Sequence, residues 1–210
     1  MVLNPYHSHL AVVRLNDAPT AAGRWLLTKM LKHLRFIGQA DALPEITCTT
    51  MGKPFFMQHG LPDFNISHSK THLAVYLGAI SPVGCDMEQI VPRPGWQRLA
   101  GEYFSAAETK HLLQLNETDG HKLFWKYWTA REAWLKQQGK SVWDMASLAL
   151  DINTPSRLGI TGATQALQHL TFQQQQLCLC HTQAFTGMKE CRAFEAGVLI
   201  SYEHLTGANT

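Results

Sequence analysis

Two acidic side chains in the segment PVGCDMEQI (residues 82–90) are the first candidates for chemistry. Asp86 and Glu88 alternate with apolar residues, as in a β-strand with one buried face. Residues i and i+2 of a strand project from the same face, so the two carboxylates are expected to lie close together. Mg²⁺ prefers such oxygen ligands and keeps positions for water and substrate phosphates. The spacing therefore favours an acidic cation site, and its alternative is a solvated strand face.

A second pair lies in the aromatic-rich segment KLFWKYWTAREAWLKQQG (residues 122–139). Glu132 and Lys136 are four residues apart, which places them on one face of a helix. They can act as a third acidic ligand next to a cation that reaches a phosphate. The alternative is a surface ion pair that contributes a few tenths of a kcal/mol. The aromatic residues around them are expected to be packing residues.

Three further residues have ordinary structural interpretations beside catalytic ones. The segment from Ser105 to Glu108 matches the S-x-x-E capping box at the start of a helix, and capping does not exclude catalysis. His68 ends the predicted strand FNISHS, where a turn histidine is expected. Lys53 lies in a Gly-Lys-Pro turn that lacks the context of a phosphate-binding loop.

The elements that must position these residues form a mixed pattern. A strand at 9–15 precedes a helix at 20–38, for which Trp25, Met30, Leu31 and Leu34 are the predicted buried face and Gly38 the C-terminal cap. A turn-rich stretch, predicted to be a hairpin or loop, leads to an antiparallel pair of strands and then to the acidic strand. After the Pro-rich segment 91–95 we predict three helices, which begin near residues 96, 105 and 122. Extended segments follow in the last third of the chain.

Composition excludes several classes of protein. With 45% hydrophobic and 16% charged residues among 210, the chain can bury a core and is not disordered. A net charge of +2 does not favour a nucleic-acid-binding protein. No apolar run reaches the roughly 18 residues needed to span a bilayer, and no secretory signal is evident. Five cysteines, an odd number, favour reduced thiols, so we expect a cytoplasmic protein.

Five motifs occur along the chain in an order that is typical of a known protein family. The motifs are GKPFF (52–56), FNISHS (64–69), VGCDME (83–88), YFSAAE (103–108) and FWKYWTAREAWLKQQGK (124–140). In this order they resemble the 4′-phosphopantetheinyl transferase superfamily, and the resemblance covers roughly residues 24 to 145. The variant VGCDME, with RWLLTK before it, is most similar to the AcpT-type holo-acyl-carrier-protein synthases within the broader Sfp group.

The resemblance implies an activity and a set of site residues. The enzyme would move the phosphopantetheine arm of coenzyme A onto a serine of an apo acyl or peptidyl carrier protein and release adenosine 3′,5′-bisphosphate. The implied Mg²⁺ ligands are Asp86, Glu88 and Glu132, with Mn²⁺ as a further metal. Glu108 corresponds to the proposed general base and Lys136 to the lysine that contacts the phosphate. The implied coenzyme A contacts are Lys53, Ser67 and His68.

The chain departs from the family pattern at three places. Arg131 precedes Glu132 where the pattern has lysine, and Cys85 stands where isoleucine or valine is more common. We interpret Cys85 as a small buried hydrophobic residue. No arginine precedes the GKP motif to hold the 3′-phosphate of coenzyme A, so Lys29 or Arg24 is expected to supply that charge.

By resemblance the fold is α+β, a pseudo-twofold monomer of two similar halves, residues 1–95 and 96–210. The expected partner, a carrier protein, presents an acidic helix, for which the basic candidates are Arg93, Arg98, Lys110 and Lys122. Two other functions use the same residues. One is a Mg²⁺-dependent pyrophosphate hydrolase, and the other is a non-catalytic module that binds coenzyme A or carrier protein. The intact acidic set with Lys136 disfavours the binding module.

Overall fold

A computed structural model describes residues 7–15, 18–78, 82–153, 158–194 and 197–204. The first half of the chain contains β1 (His7–Arg14), α1 (Pro19–His33), β2 (Ile46–Cys48), β3 (Pro54–Phe56), β4 (Asp63–His68), β5 (His72–Gly78) and β6 (Val83–Gln89). The helices α2 (Trp96–Tyr103), α3 (Ala106–Leu113) and α4 (Glu117–Gln138) follow, and then a 3₁₀ helix (Val142–Ser147). The chain continues with β7 (Leu150–Asp151), β8 (Gly159–Ile160), β9 (Ala166–Phe172), β10 (Gln175–His181), β11 (Phe185–Phe194) and β12 (Gly197–His204). The predicted α+β class is confirmed.

Four layers position the site: α1, a five-stranded sheet, a three-stranded sheet and α4. The larger sheet has the order β11-β12-β1-β5-β4 and the smaller one β6-β10-β9. Leu73, Val75 and Leu77 of β5 pack against α1, while Ala74 and Tyr76 on the opposite face pack against the smaller sheet. Because side chains alternate along a strand, β5 serves two cores at once and is buried along almost its whole length.

The smaller sheet also has two buried faces. Val83, Cys85 and Met87 face the larger sheet, as the predicted alternation requires. The other face packs against α4, where Cys178 and Cys180 share a core with Ala130 and Ala133. Asp86 and Glu88 alternate with the first set, so they lie on the α4 side of the sheet.

Several sequence predictions are confirmed and some are wrong. The hairpin β2–β3 and the antiparallel pair β4–β5 are confirmed. The predicted helical face of α1 is wrong at Trp25, which is 47% exposed, and the predicted cap at Gly38 is wrong because α1 ends at His33. The long helix α4 begins at Glu117, before the predicted start, because Asn116 caps it. The segment 144–153 was predicted to be extended, but its first four residues belong to the 3₁₀ helix.

Strand pairing connects the two halves of the chain. β12 pairs with β1, and β10 pairs with β6, both antiparallel. The five-stranded and the three-stranded sheet thus each contain strands from both halves. The division of the chain at residue 95 and the pseudo-twofold relation of the halves stay predictions. Residues 79, 80 and 196, which belong to predicted strands, lie outside the described residues. Within the described ranges, none of the helices combines the length and apolarity needed to cross a bilayer.

Candidate active site

Two side chains from distant parts of the chain meet at Asp86. Its Oδ1 accepts hydrogen bonds from Lys136 Nζ at 2.6 Å and from Ser67 Oγ at 3.0 Å. Asp86 lies on β6, Lys136 on α4 and Ser67 on β4. The Asp86 side chain is 7% exposed and that of Lys136 is 31% exposed, so the pair opens to solvent on the lysine side. The site thus joins the motifs FNISHS, VGCDME and the long helix.

The second oxygen of Asp86 has no hydrogen-bond partner in the described part of the chain. Oδ2 is buried and makes no hydrogen bond among the described residues. A buried anionic oxygen without a donor is costly, because desolvation of a charged group is not repaid. This oxygen is therefore suited to receive a cation.

Glu88 and Glu132 lie close enough to Asp86 for their protonation to be affected by it. Burial and the Asp86 carboxylate raise the pKa of Glu88 to about 7, and Glu132 adds to the effect. Burial and Asp86 also raise the pKa of Glu132. Like charges in a partly buried site disfavour one another's ionised form. A bound divalent cation would relieve that repulsion.

The donor set fits Mg²⁺ in its chemistry. It consists of carboxylate oxygens, which are the ligand type that Mg²⁺ takes, and one of them is buried and accepts no hydrogen bond from any described residue. In the part of the chain that the structure describes, however, no three His, Cys, Asp or Glu side chains already stand in a metal-binding arrangement. The Lys136 ammonium lies on Asp86 instead and balances part of its charge.

We expect the stability of the metal-free protein to depend on pH through the titration of the Glu88 carboxyl. Its pKa of about 7 in the folded protein lies above the ordinary value of 4.5, so folding favours the protonated form. That contribution is complete below pH 4.5 and is lost as the pH rises through about 7. Relative to Glu88→Gln, which does not titrate, the melting temperature of the wild type should therefore fall between about pH 5 and pH 8 in EDTA.

The matched measurement repeats the same pH series with Mg²⁺. Metal binding to the ionised carboxylates should reduce the fall in wild type and leave Glu88→Gln almost unchanged. A difference between the two proteins that does not change with pH would contradict the placement of Glu88 among the acids.

Lys136 remains a cation at neutral pH. Burial lowers its pKa, but the adjacent Asp86 carboxylate, which also accepts its hydrogen bond, more than offsets this, so the net pKa is raised. A group with this environment serves as a fixed positive charge and not as a base.

A ladder of side chains connects β4 to the backbone of β6. Three side chains of β4 accept β6 amide protons in register: Asp63 Oδ2 from Val83 N at 2.7 Å, Asn65 Oδ1 from Cys85 N at 3.0 Å and Ser67 Oγ from Met87 N at 3.1 Å. Ser67 is thus fixed by the backbone of Met87 while it donates to Asp86. Asp63 and Asn65 were not among the sequence candidates, although polar residues at 63, 65 and 67 share one strand face and could have indicated a common partner.

Lys53 closes this ladder at one end. Its Nζ donates to Asp63 Oδ2 at 2.8 Å, to Val83 O at 3.2 Å and to Gln137 O at 3.4 Å. The side chain is 11% exposed, and these partners account for all three ammonium hydrogens. In this arrangement Lys53 joins the β2–β3 hairpin to β4, β6 and the end of α4. Its predicted contact with coenzyme A stays a prediction.

The remaining predicted coenzyme A contacts lie at or near the surface. His68 is exposed at the end of β4, one residue from Ser67. Arg24 is exposed on α1, and Lys29 on the same helix is partly buried. Among the described residues, none of these three side chains forms a hydrogen bond with Asp86 or Lys136. The predicted roles of His68, Arg24 and Lys29 therefore stay predictions.

Gly84 lets α4 approach β6 closely. A Cβ built at Gly84 would lie 1.9 Å from Ala133 O and 2.6 Å from Gln137 N, both backbone atoms of α4. Only glycine permits this contact, because any side chain would displace the helix. The contact brings the turn that carries Lys136 against the strand that carries Asp86.

Glu108 lies in a different environment from the acidic site. It is fully buried, and the predicted capping box is confirmed, since Ser105 N donates to Glu108 Oε2 at 2.6 Å. Arg131 Nη2 also donates to Oε2, at 2.5 Å, and Leu150 N donates to Oε1 at 2.7 Å. Both oxygens are thus engaged within the protein. The general-base role stays a prediction, and this geometry does not favour it.

The contacts of Arg131 account for the presence of arginine where the family pattern has lysine. Its guanidinium is fully buried, lies 4.2 Å from the centre of the Phe104 ring and also reaches Leu148 O at 3.3 Å. A planar guanidinium can serve several partners in fixed directions, which a lysine ammonium cannot. Residue 131 therefore connects α4 to α3 and to the segment before β7.

We expect Glu108→Gln to lower the free energy of unfolding and to leave kcat nearly unchanged. Loss of a buried charge partner for Arg131 should cost about 3 kcal/mol. At a temperature where the variant is folded, kcat should stay within about threefold of wild type, whereas loss of a general base costs about 10²- to 10⁴-fold. Chemical denaturation and initial rates measure the two effects, and Glu102→Gln, an exposed residue of α2, is the control. If folded Glu108→Gln instead turned over about 100-fold more slowly than wild type, the general-base role would be supported.

The prediction that Cys85 is buried is confirmed. It is free and fully buried, and burial raises the pKa of its thiol to about 12. Its Sγ donates a weak hydrogen bond to Asn65 O at 3.7 Å. A thiol in this state packs as a small apolar side chain.

Comparison with known proteins agrees with the geometry. Residues 82–187 match the family model of the 4′-phosphopantetheinyl transferase superfamily. The matched region contains β6 and α4, and therefore Asp86, Glu88, Glu132 and Lys136.

Curated relatives cover most of the chain. A protein of Escherichia coli O157:H7 named 4′-phosphopantetheinyl transferase AcpT is 33% identical over 78% of this chain and 77% of its own length. Its namesake from Salmonella typhimurium is 36% identical over 67% of both chains. A protein of Nostoc named 4′-phosphopantetheinyl transferase HetI is 28% identical over 70% of this chain and 63% of its own.

Proposed function

The chain belongs to the 4′-phosphopantetheinyl transferase superfamily, and from that premise we propose that it transfers phosphopantetheine from coenzyme A to a serine of an apo carrier protein. Such an enzyme is a holo-acyl-carrier-protein synthase. One observation carries the assignment of the site: Asp86, Lys136 and Ser67 converge from three separate motifs, with Glu88 and Glu132 beside them.

The reaction is a phosphoryl transfer. The serine oxygen of the carrier forms a bond to the phosphorus that bears the pantetheine arm, and the bridging P–O bond breaks. Adenosine 3′,5′-bisphosphate leaves with the electron pair, and the serine proton passes to solvent. Charge develops on the phosphate oxygens, so catalysis consists mainly of positioning and electrostatic stabilisation.

Asp86, Glu88 and Glu132 would hold Mg²⁺, with Mn²⁺ as a substitute. When bound, the metal would neutralise phosphate charge and supply Lewis acidity. Ser67 supports this role from the protein side, because its bonds to Met87 N and to Asp86 Oδ1 fix the orientation of the carboxylate. Outer contacts of this kind orient metal ligands in other proteins.

Lys136 would supply the second positive charge. Its ammonium lies 2.6 Å from Asp86 Oδ1 and is partly exposed, so a phosphate can reach it from solvent. The proposed coenzyme A contacts are Lys136 together with His68, Ser67, Lys53 and Lys29. His68 is best placed among them, since it is exposed next to Ser67.

Of the four predicted contacts with the carrier protein, Arg93 has the side chain that is most firmly held in position. Its guanidinium lies 5.5 Å from the Trp125 ring centre and 5.6 Å from that of Trp128, and its amide donates to His121. Stacking on two indoles holds the charge in place near Glu88. A fixed cation at the edge of the site can steer an acidic helix of the carrier. Arg98, Lys110 and Lys122 remain candidates.

Lys29→Ala tests the source of charge for the 3′-phosphate. We expect the KM for coenzyme A to rise about tenfold, because one charge-assisted contact is lost, with kcat nearly unchanged. The KM for 3′-dephospho-coenzyme A should not change, and this substrate serves as the matched control. Equal effects on both substrates would assign Lys29 a structural role, and Arg24→Ala would then be the next variant.

Intact-mass analysis tests the function itself. A panel of apo carrier proteins is incubated with the protein, coenzyme A and Mg²⁺, and EDTA is the control. A gain of one phosphopantetheine that EDTA abolishes supports the transferase. Metal-dependent release of adenosine 3′,5′-bisphosphate without any carrier gain would favour the pyrophosphate hydrolase. Binding of coenzyme A without turnover would favour the binding module. The cytoplasmic location and the monomeric state stay predictions.

A further inference from the structure

A cavity that is separate from the acidic site lies between the two sheets. Its volume is about 580 Å³, and β1 and β12 form one wall while β9 and the turn that follows it form the other. None of the four charged side chains of the acidic site is among the described residues that line it. Cavities of this size accommodate small organic ligands.

The walls of this cavity are apolar. Leu10 and Val12 share one face of β1, and Ile200 is paired with Leu10 across the β1–β12 ladder. Leu170 and Phe172 share one face of β9 on the opposite side. Five aliphatic or aromatic side chains therefore form a cleft that favours a hydrocarbon chain.

The mouth of the cavity is polar and positively charged. His72 Nε2 is 3.2 Å from Gln173 Oε1, and the His72 ring packs edge-on against Phe172 at 5.9 Å. Arg14 is exposed at the same end, and its guanidinium makes no hydrogen bond or ion pair with any other described residue. No Asp or Glu is among the described lining residues. Among the described residues, nothing compensates the positive charge that Arg14 brings to the mouth.

We propose that this cavity binds a linear fatty acid, with its carboxylate at Arg14 and its alkyl chain between β1 and β9. The combination of an apolar cleft and a guanidinium that no described residue pairs matches a molecule with a single anionic end and an apolar tail. A nucleotide or a sugar would leave polar groups without partners against these walls. The described lining residues include none of the charged side chains of the acidic site, so this proposal does not rest on phosphopantetheine transfer, and its test needs neither coenzyme A nor metal.

Isothermal titration with octanoate, decanoate and dodecanoate, each below its micellar concentration, tests the proposal. Affinity should rise by up to about fourfold for each methylene that enters the cleft and then level off when the cleft is full. Methyl NMR should show shifts at Leu10, Val12, Leu170 and Ile200. Binding that shifts none of these methyls would overturn the proposal, as would the absence of saturable binding.

Two variants separate the charge from the cleft. Arg14→Gln should weaken dodecanoate about tenfold and leave dodecanol unchanged, whereas Arg35→Gln, at another exposed arginine, should change neither. Leu170→Trp should fill the cleft and abolish binding of both. If Leu170→Trp does not fold, Arg14→Gln with the NMR shifts still decides. An equal loss of dodecanoate and dodecanol in Arg14→Gln would contradict the carboxylate contact.

Discussion

Replacement of Asp86 with asparagine is expected to lower kcat for carrier modification by at least about 10³-fold while the protein stays folded. The variant keeps the shape of the side chain and an oxygen that can accept from Ser67 and Lys136. It removes the negative charge, and with it the buried Oδ2 anion that has no partner among the described residues. The Mg²⁺ concentration for half-maximal rate should rise steeply, and excess metal should not restore kcat.

Intact-mass rates, with Mg²⁺ varied over a wide concentration range, measure this effect, and far-UV circular dichroism with thermal melting establishes folding. Asp41→Asn is the matched control, because Asp41 is an exposed aspartate whose side chain, among the described residues, accepts a hydrogen bond only from the nearby Gly38 N. Activity of folded Asp86→Asn within about tenfold of wild type would remove Asp86 from the proposed metal site.

Gly84→Ala should destabilise the protein by about 3 kcal/mol or more, although it adds only one methyl group. The new Cβ would overlap the backbone oxygen of Ala133, which lies 1.9 Å from its position. A backbone carbonyl within a helix cannot rotate away, so α4 must move as a unit. Movement of α4 would separate Lys136 from Asp86, and transfer activity should fall even where the variant remains folded.

Gly101→Ala is a close control for this prediction. Gly101 lies within α2, and a Cβ there meets nothing within 4 Å. Alanine at an open helical position should stabilise by about 0.5 to 1 kcal/mol. Urea unfolding of both variants gives the comparison. Equal stabilities would show that α4 and β6 are not in close contact at Gly84.

Local patterns predicted most of the elements. Alternation in VGCDME indicated both faces of β6, and the S-x-x-E pattern indicated the start of α3, because each depends on residues within one strand or one helical turn. The turn at Gln173 and Gln174 was not predicted, since both adopt positive φ without being glycine or asparagine. Their conformation depends on the pairing of β9 with β10, which sequence spacing does not reveal.

The acidic set could be predicted from spacing and family resemblance, but its supports could not. The bonds from Asp63 and Asn65 to the β6 backbone join residues 20 positions apart, and no local pattern specifies that offset. The pairing of Glu108 with Arg131 likewise joins α3 to α4. Each support needs the tertiary packing of two elements, so the sequence identified the residues and left these functions open.

The side-chain ladder between β4 and β6 also bears on solubility. β4 and β6 are terminal strands of their sheets, and such strands offer unpaired amides to which another chain can add. Asp63, Asn65 and Ser67 occupy three of those amides on β6, and Asp63 places a charge among them. The residues that orient the candidate catalytic carboxylate thereby also block edge-to-edge aggregation, so loss of a single one would weaken protection against fibril-like self-association.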